Sequence, residues 1–162
     1  MRLTIRAPAK VNLTLEVLSK RDDGYHEIRS VIQTIDLCDI ITIDDGENIT
    51  FQSETKEWDA KKSLISKAVS LFRETTGFSQ GASITVEKNI PMMAGLGGDS
   101  SGAAAVLQGL NRFCKKNLSI KELHGMAEQL GSDVPFFLYG GTALIEGRGE
   151  NVTPLPSVPE MC

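Results

Sequence analysis

A chain of 162 residues has room for one ordinary domain, and its 41% hydrophobic and 23% charged residues exclude the disordered, collagen-like and membrane classes. The 17 Lys and Arg against 21 Asp and Glu leave a formal net charge of -4, so no overall positive field is available to hold a nucleic-acid backbone. Three widely spaced cysteines, Cys38, Cys114 and Cys162, read as reduced thiols. With an amino terminus lacking an apolar signal core, they set the expectation of a cytoplasmic protein.

Along the chain, residues 2 to 6 and 11 to 18 alternate with the period of a strand, and Asp23-Gly24 after a polar run marks a tight turn. Further strands are expected at 31 to 35 and 40 to 43, with a weaker one at Thr50-Phe51 and a polar loop from Ser53 to Lys62. Leu64, Ile65, Ala68, Val69 and Phe72 recur at helical spacing up to a stop at Gly77, and 82 to 87 alternate again as a strand. A second helix is expected from Ser100 or Ser101, carrying Ala103, Val106, Leu107, Leu110 and Phe113 inward. The third begins at the capping box Ser119-Ile-Lys-Glu122 and ends at Gly131. Short apolar runs at 134 to 138 and 142 to 145 read as strands. Prolines at 154, 156 and 159 mark 154 to 162 as a linker or lead-in to a further domain, leaving 1 to 153 as the folded unit. The order predicts an α+β layer structure.

The most apolar window, Ile90 to Leu110, is interrupted by Asp99, serines and glycines and is too polar for a bilayer span. It contains the most informative segment, Pro91-Met-Met-Ala94-Gly95-Leu96-Gly97-Gly98-Asp99-Ser100-Ser101. A glycine-rich turn that runs into a helix presents free backbone N–H groups and the positive end of the helix dipole, a ready phosphate site. Ser100 and Ser101 add hydroxyls suited to phosphate or Mg²⁺. No Gly-Lys-Ser/Thr occurs, and Ser100 stands where a dinucleotide fingerprint needs its third glycine. No metal-ligand spacing joins His26, His124 and the cysteines, so no built-in metal site is expected. His124 is read as structural.

The glycine segment resembles the phosphate loop of the GHMP kinase superfamily. Ala7-Pro-Ala-Lys10-Val-Asn12-Leu13, Asp23-Gly-Tyr25-His26, Gly131-Ser-Asp133-Val-Pro-Phe and Gly147-Arg-Gly-Glu150 resemble, in order, the branch that phosphorylates a cytidylyl-linked methylerythritol in non-mevalonate isoprenoid synthesis. The resemblance implies a two-layer α+β amino-terminal domain with a left-handed βαβ unit, and an ATP- and Mg²⁺-dependent transfer to an alcohol. It implies Asp133 as general base and Lys10 as its partner, Asn12, Tyr25 and His26 at the substrate, and Ser63, Leu64, Lys88 and the segment from Pro91 to Ser101 at ATP. Alone, Lys10 reads as a solvated charge and Asp133 as a turn former; motif order carries their chemistry. Family members continue into a second domain that completes the cleft, so such a carboxyl-terminal domain is the expected partner, with no nucleic acid or membrane. The pattern usually has glycine where Asp99 stands and Asn or Asp where Gly102 stands; a carboxylate there would repel polyphosphate unless Mg²⁺ lay between. Another GHMP kinase acting on a different alcohol, or a nucleotide-binding remnant without turnover, stays open.

Overall fold

The computed structural model describes residues 1–156, so Pro159 and Cys162 lie outside the described residues. Its spine is β3 (His26–Gly46), a single long strand where the sequence suggests two short ones. β1 (Arg2–Asn12) runs antiparallel along one edge of it, and beyond a break at residues 13–15 β2 (Glu16–Lys20) pairs with its first residues. On the other edge, β5 (Gly81–Glu87) pairs with the second half of β3 and β6 (Thr142–Gly147) with the first half. β4 (Ile49–Gln52) and β7 (Asn151–Leu155) complete the seven-stranded sheet. β4 and β5 are parallel, and with α1 (Leu64–Thr76) between them they form the expected βαβ unit.

Asp36 and Leu37 of β3 bulge out of its pairing with β1. Pairing with β1 jumps there from Pro8↔Cys38 to Ala9↔Ile35. A proline cannot donate to the ladder and two extra residues interrupt the pairing, so the period-two signal is broken and one strand reads as two. The expected boundary between 153 and 154 falls inside β7, where Pro154 is accommodated at the sheet edge.

Helices cover one face of the sheet, the two-layer α+β arrangement. α2 (Gly98–Phe113) lies centrally on β1 and β3, between α1 and α4 (Val134–Tyr139), with α3 (Ile120–Leu130) packed against α4. α2 packs on β1, and the small residues Ala7 and Ala9 of β1 and Ala103 and Ala104 of α2 are all fully buried. Around them Ile41, Ile43, Ile65, Phe72, Leu107, Leu110 and Phe136 form the core, each contributing about 1.5–3 kcal/mol by burial. α4 is a correction, since 134 to 138 reads as a strand. Five consecutive buried residues have no period to distinguish the two states, and Pro135 in the first turn supplies the dihedral of a helix start.

α3 starts as expected, with the Ser119 hydroxyl accepting from Glu122 N and the Glu122 carboxylate accepting from Ser119. The Ser119 hydroxyl first, then its N–H, hold the Glu122 carboxyl below its ordinary value of 4.5. A lowered folded-state value means the stabilisation is complete above pH 4.5 and is lost as pH falls through the folded value. Melting curves of Glu122→Gln should therefore lie below those of the parent at neutral pH and converge with them as the solution is acidified.

Candidate active site

β1 delivers Lys10 to the glycine segment. Its backbone N–H donates to Leu96 O at 2.9 Å, so the strand and the loop are stitched together at this residue. The side chain is buried, unlike an ordinary surface lysine. Its ammonium lies 3.4 Å from Asp133 Oδ2 and donates to Asn12 Oδ1 at 2.6 Å; Asn12 Nδ2 in turn donates to Ser30 Oγ at 2.8 Å. Asp133 precedes α4 but makes no capping bond with its side chain, leaving a half-exposed carboxylate that faces the lysine. Lys10, Asn12 and Asp133, from distant parts of the chain, are thus one cluster.

The loop walls a cleft of about 450 Å³ with Ser63, Lys88, Pro91, Ala94, Gly95, Leu96, Gly97, Gly98, Asp99 and Ser100. α2 begins at Gly98, two residues earlier than the sequence suggests, so Asp99 and both serines occupy its first turn. Ser100 lines the cleft, whereas Ser101 is buried behind it with its hydroxyl unpartnered. The opening face is rich in backbone N–H donors at a helix amino terminus, with a serine hydroxyl beside them. That donor set suits a polyphosphate with its bound Mg²⁺. Among the described residues, no group of three or more His, Cys, Asp or Glu side chains is placed to hold a metal ion.

Asp99 turns away from the role its charge suggests. Its carboxylate accepts from Ser63 Oγ at 2.6 Å and from Leu64 N at 2.9 Å, and Ser63 itself caps α1 through Ile65 N. The positive end of α1 thereby offsets the carboxylate, and Asp99 ties the first turns of α1 and α2 together across the cleft. Ser63 and Leu64 take part in this latch, Leu64 through its backbone. Lys88 also lines the cleft, but its ammonium is buried in an ion pair with Asp39, whose other oxygen accepts from Asn89 N and Ile90 N at 2.7 and 2.8 Å. Asp39 was not legible as a site residue, because a carboxylate in an apolar strand has no motif of its own. Trp58, which lines the cleft, gave no signal either.

Tyr25 stands apart from this cleft, over a second depression of about 230 Å³ shared with Gly131, Ser132, Arg148 and Glu150. It therefore adjoins the turn that carries Asp133. The Asp23 carboxylate accepts from Tyr25 N at 3.1 Å; this bond, followed by that from Arg21, holds the Asp23 carboxyl below its ordinary value. His26 opens β3 opposite Lys20, exposed, and lines neither depression. His124 pairs with Tyr139 and Glu128 on the helical side, in keeping with a structural role.

Comparison with known proteins bears on this arrangement. The family described as GHMP kinases N terminal domain matches residues 63–141, from the α1 cap to the start of β6. A protein named 4-diphosphocytidyl-2-C-methyl-D-erythritol kinase from Dehalococcoides mccartyi is 52% identical over 98% of this chain and 56% of its own length. One of the same name from Caldicellulosiruptor saccharolyticus is also 52% identical, over 98% and 56%. The chain spans about half the length of the curated relatives it matches. A crystal structure titled 4-(cytidine 5'-diphospho)-2C-methyl-D-erythritol kinase superposes with a TM-score of 0.82 at 39% identity, covering 94% of this chain and 55% of the other. Mevalonate kinase from Methanococcus jannaschii, at 16% identity and TM-score 0.73 over 97% of this chain and 56% of its own, shares the fold. The chain belongs to the GHMP kinases, of which it carries the amino-terminal domain.

Proposed function

We propose that this chain forms the nucleotide-binding half of an ATP-dependent kinase that phosphorylates the 2-hydroxyl of 4-diphosphocytidyl-2-C-methyl-D-erythritol, a step of isoprenoid synthesis. The observation that carries the reading is the Lys10–Asp133 pair, 3.4 Å apart, on a strand bonded through Lys10 N to the glycine loop. It puts a carboxylate base and a cation beside a phosphate-binding helix terminus, the two requirements of direct transfer to an alcohol. Bound ATP, with Mg²⁺, supplies the phosphoryl group. The Asp133 carboxylate takes the proton of the acceptor hydroxyl as its oxygen forms a bond to the γ-phosphorus; the bond to the β,γ-bridging oxygen breaks and ADP leaves. Lys10 lies against the Asp133 carboxylate and offsets charge on the transferring group.

Loop N–H groups from Gly95 to Gly98 and the Ser100 hydroxyl hold the phosphates and their metal, and the Ser63–Leu64 wall meets the base and ribose. Tyr25 stacks on the cytosine, His26 hydrogen-bonds it, and Asn12 sets the Lys10 ammonium. A carboxyl-terminal domain closes the cleft as the partner of this one. The reading places the protein in the cytoplasm on its odd, widely spaced cysteines; no helix among the described residues is long and apolar enough to cross a membrane.

The test is phosphorus NMR of the chain, alone and with a carboxyl-terminal half supplied by a relative, given ATP, Mg²⁺ and the cytidylyl substrate beside mevalonate and homoserine. A new phosphomonoester on the cytidylyl substrate is expected; preference for another alcohol would overturn the choice of acceptor. The two serines also separate. Ser100→Ala should weaken ATP-analogue binding. Ser101→Ala should leave it unchanged and match or exceed the parent in melting temperature, because an unpartnered buried hydroxyl costs about 1–3 kcal/mol.

A further inference from the structure

We infer that Arg148 is a positioning residue for the Tyr25 ring, occupying one face so that a pyrimidine nucleotide stacks on the other. This rests on Tyr25 being the base-stacking residue of the proposed substrate site. Tyr25 is 54% exposed. The bonds that locate it, from its N–H to Asp23 Oδ1 and from Arg21 N to its carbonyl, fix the backbone and leave the ring to choose its rotamer. Arg148 supplies the constraint, its guanidinium carbon lying 5.1 Å from the ring centroid. A guanidinium stacks on an aromatic face through both charge and planarity, which an ammonium does only in part.

The backbone that carries Arg148 is itself held in place. Its N–H donates to Glu150 Oε2 at 2.6 Å. The following Gly149, at φ +123, lies so close to the turn before Asp133 that an added Cβ would meet Ser132 O at 2.7 Å. The turn between β6 and β7 is therefore wedged between the Tyr25 ring and the Ser132–Asp133 turn, and it links the position of the ring to that of the candidate base. A ring held before the ligand arrives loses less rotamer freedom on stacking. With one face covered, it also offers a nucleobase a single docking plane, which fixes the direction in which the diphosphate leaves.

Calorimetric titration of the chain with cytidine diphosphate, and separately with a non-hydrolysable ATP analogue, tests this in Arg148→Ala, Arg148→Lys and Tyr25→Ala. Arg148→Ala is expected to weaken cytidine diphosphate by roughly two- to fivefold, with the ATP analogue unchanged and part of the loss recovered by lysine. Equal affinity in parent and Arg148→Ala, or an equal loss for both nucleotides, overturns the inference. If Tyr25→Ala has no effect, or the parent does not bind cytidine diphosphate, the base-site reading itself fails. Weakening by Tyr25→Ala alone removes only Arg148.

Discussion

Asp133→Asn is expected to lower kcat by about 10²–10⁴-fold while leaving affinity for an ATP analogue unchanged. The substitution keeps the size of the side chain and an oxygen toward Lys10, 3.4 Å away in the parent, but an amide cannot take the proton of an acceptor hydroxyl at neutral pH. Asp133 makes no capping bond that the change would break, so the melting temperature should move little. Lys10→Met should also reduce turnover, with a different signature. Removing the buried cation leaves Asn12 Oδ1 without its donor and Asp133 without its ion-pair partner, so the melting temperature should fall along with kcat. ADP release on the protein that turns over, measured beside melting curves, separates the two. Unchanged turnover in Asp133→Asn would place the base elsewhere.

Gly97→Ala is expected to cost about 2–5 kcal/mol of stability, roughly 5–15 °C in melting temperature, and to weaken ATP binding with it. Gly97 precedes α2 at φ +71, a left-handed conformation unfavourable to any residue with a Cβ. The added atom would also lie 2.8 Å from Phe137 Cζ and 3.1 Å from Lys10 Cγ. Neither neighbour yields easily, since Phe137 is buried in the core and Lys10 is held at both ends. Gly95→Ala is the control: φ is +74 there too, but the space around it is open, so only the conformational cost remains. A melting temperature for Gly97→Ala no lower than that of Gly95→Ala would show that the close packing of loop, strand and α4 carries no strain.

Much of this protein is legible in its sequence. Local signals with a physical cause survived folding: the capping box at Ser119, the glycine stop at Gly77 and the three- and four-residue spacing of Leu64 to Phe72 lie where expected. The glycine loop was legible because glycines that run into a helix leave their signature within a dozen residues. α4 was not, since a fully buried run loses the periodicity that reports its state. β3 reads as two strands because Asp36 and Leu37 bulge out opposite Pro8 and Ala9 of a neighbouring strand, a pairing outside any local window.

Sequence by itself determined the chemical parts, namely a lysine, a carboxylate and a glycine loop in an order that resembles one superfamily. Only the tertiary structure decided their relations, because these depend on pairings between residues far apart in the chain. Lys10 meets Asp133 across 123 positions because β1 is bonded to the loop and α4 packs on α2. A shorter separation, 36 positions to Ser63, likewise divides what Asp99 is from what it does. From sequence it is a carboxylate set against phosphate; in the fold, Ser63 and Leu64 at the positive end of α1 take up its charge.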